Sequence, residues 1–152
     1  IFGDDCHDMP PVVAGDDGVP PTQTEALAQQ RLGQARYRAA LMALWNGACA
    51  LTGVDIPELL RASHAKPWSD ASDRERLDPF NGLLLEVRFD QLFDQGLISF
   101  NDDGIMMTSV RLSTDHCRRL GITPNMRLRF IRPAHLPYLA WHRERVFRDR
   151  NA

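Results

Sequence analysis

Hydrophobic positions along this chain fall into short groups whose spacing changes from one segment to the next. Residues 1–21 show neither helical nor strand periodicity: Pro10-Pro11 and Pro20-Pro21 bracket a Gly- and Asp-rich run, the composition of an arm or interdomain linker. Thr22-Gln23-Thr24-Glu25 then has the S/T-x-x-E form of a capping box. With Leu27, Leu32, Ala35, Leu41 and Leu44 behind it, it predicts a helix over 23–45, stopped by Asn46-Gly47. Ala48 to Gly53 reads as a short strand and turn. Leu59 to Ala65 reads as a second extended run closed by Lys66-Pro67-Trp68, because a proline forces its predecessor toward extended backbone.

Residues 69–80 read as a charged loop ending in Pro79, and Asn81-Gly82 precedes a returning strand, Leu83 to Val87. Phe89, Leu92 and Phe93, at i, i+3 and i+4, make one apolar face of a single short helix that stops at Gly96. Beyond it, Leu97–Phe100 and Ile105–Thr108 flank an Asp-Gly turn and predict a hairpin. A short helix over 114–120, a strand over Arg127–Ile131 and a last helix with Pro137 in its first turn complete the series. No internal repeat is present.

The composition, 43% hydrophobic and 25% charged over 152 residues, is that of one globular domain able to bury a core without staples. No apolar run is long enough for a membrane span. Three separated cysteines, Cys6, Cys49 and Cys117, with no C-x-x-C pair, argue against a disulfide framework and a thiolate zinc site, and point to a reducing, cytoplasmic compartment. The start, Ile1-Phe2-Gly3-Asp4-Asp5, has neither an initiator Met nor a signal-peptide profile and reads as a chain cut from something longer.

A net charge of −2 conceals an asymmetry. Residues 1–26 carry six acids and no base, whereas from Arg111 onward ten arginines face three acids. Guanidinium groups at the basic end suit a polyanion, since they neutralise phosphates and release counterions; a merely solvated Arg-rich surface is the plainer alternative.

Three residues stand where chemistry is expected. His64 closes an extended segment, Asn81 opens the next, and Asp90 lies on the helix after it. Singly these read as a hydrogen-bonded core histidine, a turn asparagine and a polar helix face. Together, Cys49-Ala-Leu-Thr-Gly53, Ser63-His64-Ala-Lys-Pro67-Trp68, Asn81-Gly-Leu-Leu-Leu85 and Asp90-Gln-Leu-Phe-Asp94-Gln-Gly-Leu97 resemble the HNH endonucleases, in the bacterial restriction-type branch with Asp at the third motif position. The resemblance covers residues 31–110, and Tyr138 to Phe147 is similar to the tail that closes such domains.

The resemblance implies an α+β fold: a ββα-metal core with a flanking N-terminal helix, a β-hairpin and C-terminal helices, residues 22–152 forming the nuclease domain and 1–21 the arm or linker. It implies a phosphodiester hydrolase in which His64 is the general base activating water, Asp90 the first ligand of one divalent cation, Mg²⁺ or alternatively Mn²⁺, and Asn81 a residue holding the two strands in register. Asp94, one turn beyond Asp90, is either a second carboxylate ligand or a tie for the helix end. Lys66 and Arg88 are candidate phosphate contacts; Arg61 and Trp68 are ambiguous. His7, His116, His135 and His142 show no zinc-type pairing and read as structural or surface residues. One departure from the familiar pattern is Ser63, where many relatives place an Asp or His as a further metal ligand. The partners implied are double-stranded DNA, an upstream recognition domain and, for cutting both strands, a homodimer. Two alternatives stay open: a nicking or nonspecific antiphage nuclease, and a catalytically impaired module that holds nucleic acid through its Arg-rich C-terminal third.

Overall fold

A computed structural model describes residues 22–149; the acidic segment 1–21 lies outside them. Its first helix, α1 (Gln23–Leu44), opens on the expected capping box: the Thr22 side chain accepts from the Glu25 N–H while the Glu25 carboxylate accepts from the Thr22 N–H. The buried face of α1 is Tyr37 and Leu41, continued by Trp45, a strict i, i+4, i+8 row. Leu27 and Leu32, which the sequence pattern assigns to the core stripe, are instead about half exposed, at 48% and 53%. Only the second half of this helix has a core to face.

Two strands and one helix form the centre. β1 (Leu60–His64) pairs antiparallel with β2 (Gly82–Glu86), Ser63 opposite Leu83 and His64 opposite Gly82. β2 passes without a loop into α3 (Val87–Asp94), which buries Phe89, Leu92 and Phe93 and packs back across both strands. The stretch between the strands is more ordered than the expected loop. A single-turn 3-10 helix at Trp68–Asp70 is followed by α2 (Asp73–Leu77), opened by a second capping box between Ser72 and Glu75. A β-hairpin follows, β3 (Ile98–Phe100) with β4 (Met106–Thr108), and then α4 (Thr114–Arg119) and α5 (Leu136–Arg145). The architecture is α+β, with the ββα unit flanked by α1, the hairpin and the C-terminal helices, as expected.

Two expected strands are turns or irregular backbone. Residues 48–53 make a turn in which the Ala50 N–H donates to Leu84 O at 2.7 Å and the Ala50 carbonyl accepts from Arg129 N at 2.8 Å. Residues 127–131 contribute that one bond and an isolated bridge from Arg127 to Ile105. Single bonds replace a ladder because the Arg129 side chain supplies the donors, its guanidinium reaching Cys49 O, Trp45 O and Ala48 O.

α5 is tied to the centre through His142. Its Nε2 lies 2.8 Å from Phe93 O, and a carbonyl only accepts, so that nitrogen carries the proton while Nδ1 accepts from the Ser99 hydroxyl at 2.8 Å. The ring stacks on Phe93, centroids 3.8 Å apart. Burial pushes its pKa down to about 4. No helix among the described residues is long and apolar enough to cross a membrane.

Candidate functional site

The site forms where β1 ends, β2 begins and α3 lies across them. His64 is half-buried at the last position of β1. Its ring lies flat against the Tyr37 phenol, with centroids 3.8 Å apart and planes 12° from parallel, and Trp68 meets it edge-on at 5.9 Å. Nε2 is 2.9 Å from the Arg76 carbonyl. That carbonyl fixes the proton on Nε2 and leaves Nδ1 without a hydrogen-bond partner among the described residues, the tautomer a general base needs. Burial lowers the His64 pKa below the ordinary histidine value; the Arg76 carbonyl opposes this and the Arg76 guanidinium adds to it.

Asn81 holds the orienting carbonyl in place. It is fully buried, its Oδ1 accepting from Lys66 N at 2.8 Å and its Nδ2 donating to Lys66 O at 3.2 Å and Glu75 O at 3.0 Å. Glu75 is the residue before Arg76, so one amide staples both ends of the inter-strand segment and sets the carbonyl that orients His64. The Asn81 backbone is held as well, its carbonyl accepting from the Tyr37 hydroxyl at 2.6 Å. Gly82 follows at φ 142°, and a Cβ there would collide with the Ser63 carbonyl and the Tyr37 hydroxyl. The Asn-Gly pair is therefore a close-approach requirement as well as a strand start.

Asp90 faces β1 from the first turn of α3. Partial burial pushes its carboxyl above the ordinary Asp value; the Ser63 hydroxyl pulls it down, neighbouring Asp94 pushes it further up, and Arg61 pulls it down. Ser63 is thus the link between the two halves of the site: its backbone runs straight into His64 while its side chain stands beside Asp90. Asp94 is exposed one turn later on the same helix.

The two cations singled out from the sequence are both engaged. Lys66 Nζ pairs with Glu75 at 3.0 Å, and Arg88 pairs with Glu86 at 2.8 Å while donating to Leu120 O at 2.7 Å. Cys49, in the Cys-Ala-Leu-Thr-Gly turn, is buried, and its Sγ receives the N–H groups of Thr52 and Glu86, each at 3.4 Å. Sequence reasoning missed Tyr37 and the Arg76 carbonyl. Tyr37 is detectable only as the buried member of the i, i+4 row with Leu41 and Trp45, and a backbone carbonyl leaves no mark in a sequence.

Among the described residues, no group of three or more His, Cys, Asp and Glu side chains gathers closely enough to hold a metal. Asp90, raised by burial and by Asp94, with the Ser63 hydroxyl beside it, is a hard, oxygen-rich donor set. It fits a cation that keeps much of its water, as Mg²⁺ does when bound by one or two carboxylates, better than it fits zinc. No curated protein matches the chain. Residues 49–101, about a third of the chain and the stretch that carries β1, β2, α3 and every candidate residue above except Tyr37, match the family model described as HNH endonuclease.

Proposed function

We propose that the chain is a metal-dependent DNA endonuclease in which His64 is the general base, and that it serves as the cleavage domain of a restriction-type protein in a bacterial cytoplasm. The observation that carries this reading is the His64 imidazole, held by the Arg76 carbonyl with Nδ1 unpartnered among the described residues, next in the chain to Ser63, whose hydroxyl pulls down the Asp90 carboxyl. The HNH endonuclease match over residues 49–101 supports the same chemistry.

In this mechanism Nδ1 of His64 takes a proton from water as the water oxygen bonds to phosphorus, and the bond from phosphorus to the 3′ oxygen breaks. The Arg76 carbonyl stabilises the imidazolium that results, because Nε2–H already points at it. Tyr37 and Trp68 keep the ring from swinging. Asn81 acts through the Arg76 carbonyl and is a positioning residue. Asp90, with Asp94 one turn away, would hold the divalent cation. Bound there, such a cation supplies Lewis-acid stabilisation of the charge that builds on the phosphoryl and departing oxygens.

The test is cleavage of supercoiled plasmid by the wild-type chain and by His64→Ala, with Mg²⁺, Mn²⁺, Ca²⁺ or chelator. Cleavage that requires metal and disappears in His64→Ala supports the reading. The lack of a three-group ligand cluster among the described residues and the hydroxyl at Ser63 favour one rival, a nucleic-acid-binding module that does not cut. Duplex binding without cleavage under any metal establishes that rival instead.

A further inference from the structure

Outside the ββα unit, among the described residues, basic side chains line an open groove of about 500 Å³ formed by the end of α3, α4 with the residues just before it, and Arg148. Arg111, His116, Arg119 and Arg148 line it over a floor that includes Leu97 and Leu112, and no Asp or Glu side chain is among its walls. The groove is built from distant parts of the chain. The Ser109 hydroxyl, on a buried residue, donates to the Arg148 carbonyl and accepts from the Arg111 N–H, joining the backbones of two arginines. Arg148 N in turn donates to Gly96 O at 2.9 Å.

Most arginines near the core have their guanidinium groups engaged by carbonyls: Arg38 on Leu60 O, Arg129 on Cys49 O and Arg143 on Phe100 O. Those in the groove differ. Among the described residues neither Arg111 nor Arg148 pairs with a carboxylate, and Arg119 is held at 2.7 Å by Asp115, which lies outside the lining. The groove is linked to the candidate site through α3. Gln95, one of its walls, follows Asp94, and Arg88 of α3 reaches the carbonyl of Leu120 on its far flank.

Two guanidinium groups without a carboxylate partner among the described residues, Arg111 and Arg148, and a third, Arg119, that shares Asp115, set along an open groove at the end of the helix carrying Asp90, are matched by a chain of phosphate oxygens. We infer that this groove carries the phosphodiester backbone of double-stranded DNA flanking the bond presented to His64, an assignment that rests on the nuclease reading above. The contacts are to backbone, so they position the duplex without reading its sequence.

The experiment is equilibrium binding of a short fluorescein-labelled DNA duplex across a salt titration. It uses the full chain carrying His64→Ala, with and without Arg111→Ala, Arg119→Ala and Arg148→Ala together. Loss of the three contacts lowers the slope of log affinity against log salt by about 0.9 per phosphate released, about 2 to 3 in all. The matching triple substitution to Lys keeps the charges and restores most of the slope, which a misfolded variant would not. An unchanged slope in the alanine triple, while the wild-type chain cuts plasmid, overturns the groove and leaves the nuclease reading standing. A reduced slope while His64→Ala still cuts plasmid supports the groove and removes His64 as base. A slope loss seen with duplex RNA and not with DNA overturns the assignment to DNA. An unchanged slope together with a peptide of residues 1–21 that binds the wild type and not the triple gives the groove to the chain's own acidic segment and overturns the proposal.

Discussion

At the scale of single residues the candidate site is a chain of dependence: Asn81 sets the Glu75 and Arg76 backbone, the Arg76 carbonyl sets the His64 tautomer, and the tautomer sets which nitrogen can act. Because burial holds the His64 pKa below the ordinary value, the neutral, active form persists to lower pH than it would in an exposed histidine. Cleavage rate is therefore expected to rise with pH and level off, with its half-point below about 6.5; a half-point above 7 in a pH–rate profile would rule this out. Asn81→Ala leaves two carbonyls and one N–H without their partner and is expected to cost about 3 kcal/mol in urea unfolding. A merely structural role would stop there. A positioning role predicts in addition that ¹⁵N spectra of His64 change from a single Nε2–H tautomer to a mixture.

At the scale of elements, the sequence announces what recurs at short range. The capping box at Thr22, the Asn-Gly before β2 and the Phe89, Leu92, Phe93 face of α3 are all visible as spacing, and they suffice for the order of strand, strand and helix. The same local rules misplace residues 48–53 and 127–131, which look like strands until Arg129, a residue with nothing local to recommend it, reaches back to the Trp45 carbonyl and substitutes side-chain donors for a ladder. They also place Leu27 and Leu32 in a core that α1 reaches only from Tyr37 onward. His64, Asn81 and Asp90 are legible because their order and residue types resemble a family; Tyr37 and the Arg76 carbonyl are not, because stacking and carbonyl orientation depend on the fold having closed. At the end of α3, Gly96 adopts φ 70°, and a Cβ there would strike the Val146 carbonyl. Gly96→Ala is accordingly expected to lose at least about 2 kcal/mol, more than the ordinary left-handed penalty, because residues 146–148 must also be displaced. A midpoint in urea within error of the wild type would contradict this.

At the scale of the whole molecule, stability depends on buried histidines remaining neutral. The folded-state pKa of His142 is about 4 against about 6.5 unfolded, so above pH 7 both states are neutral and the residue contributes no pH dependence. As pH falls below the unfolded value the unfolded chain takes up a proton that the folded chain refuses, and stability is lost down to the folded pKa, on the order of 3 kcal/mol in all. His64 and His135, also lowered by burial, act in the same direction. Urea unfolding at pH 7 and pH 4.5 should show the decline, and His142→Gln should make it shallower; equal acid slopes in the two proteins would show that His142 is not its source. The bond between Arg148 and Gly96 joins a residue made early to one made last among the contacts that brace the site. A ribosome that has released residues 49–101 has delivered His64, Asn81 and Asp90, yet neither Arg129, which braces the turn beside β2, nor His142, which ties Phe93, nor Arg148, which closes the end of α3. The nascent polypeptide thus holds the reactive side chains for some fifty codons before the contacts that stabilise their arrangement exist, and a fragment limited to residues 49–101 should give the circular dichroism of an unfolded peptide.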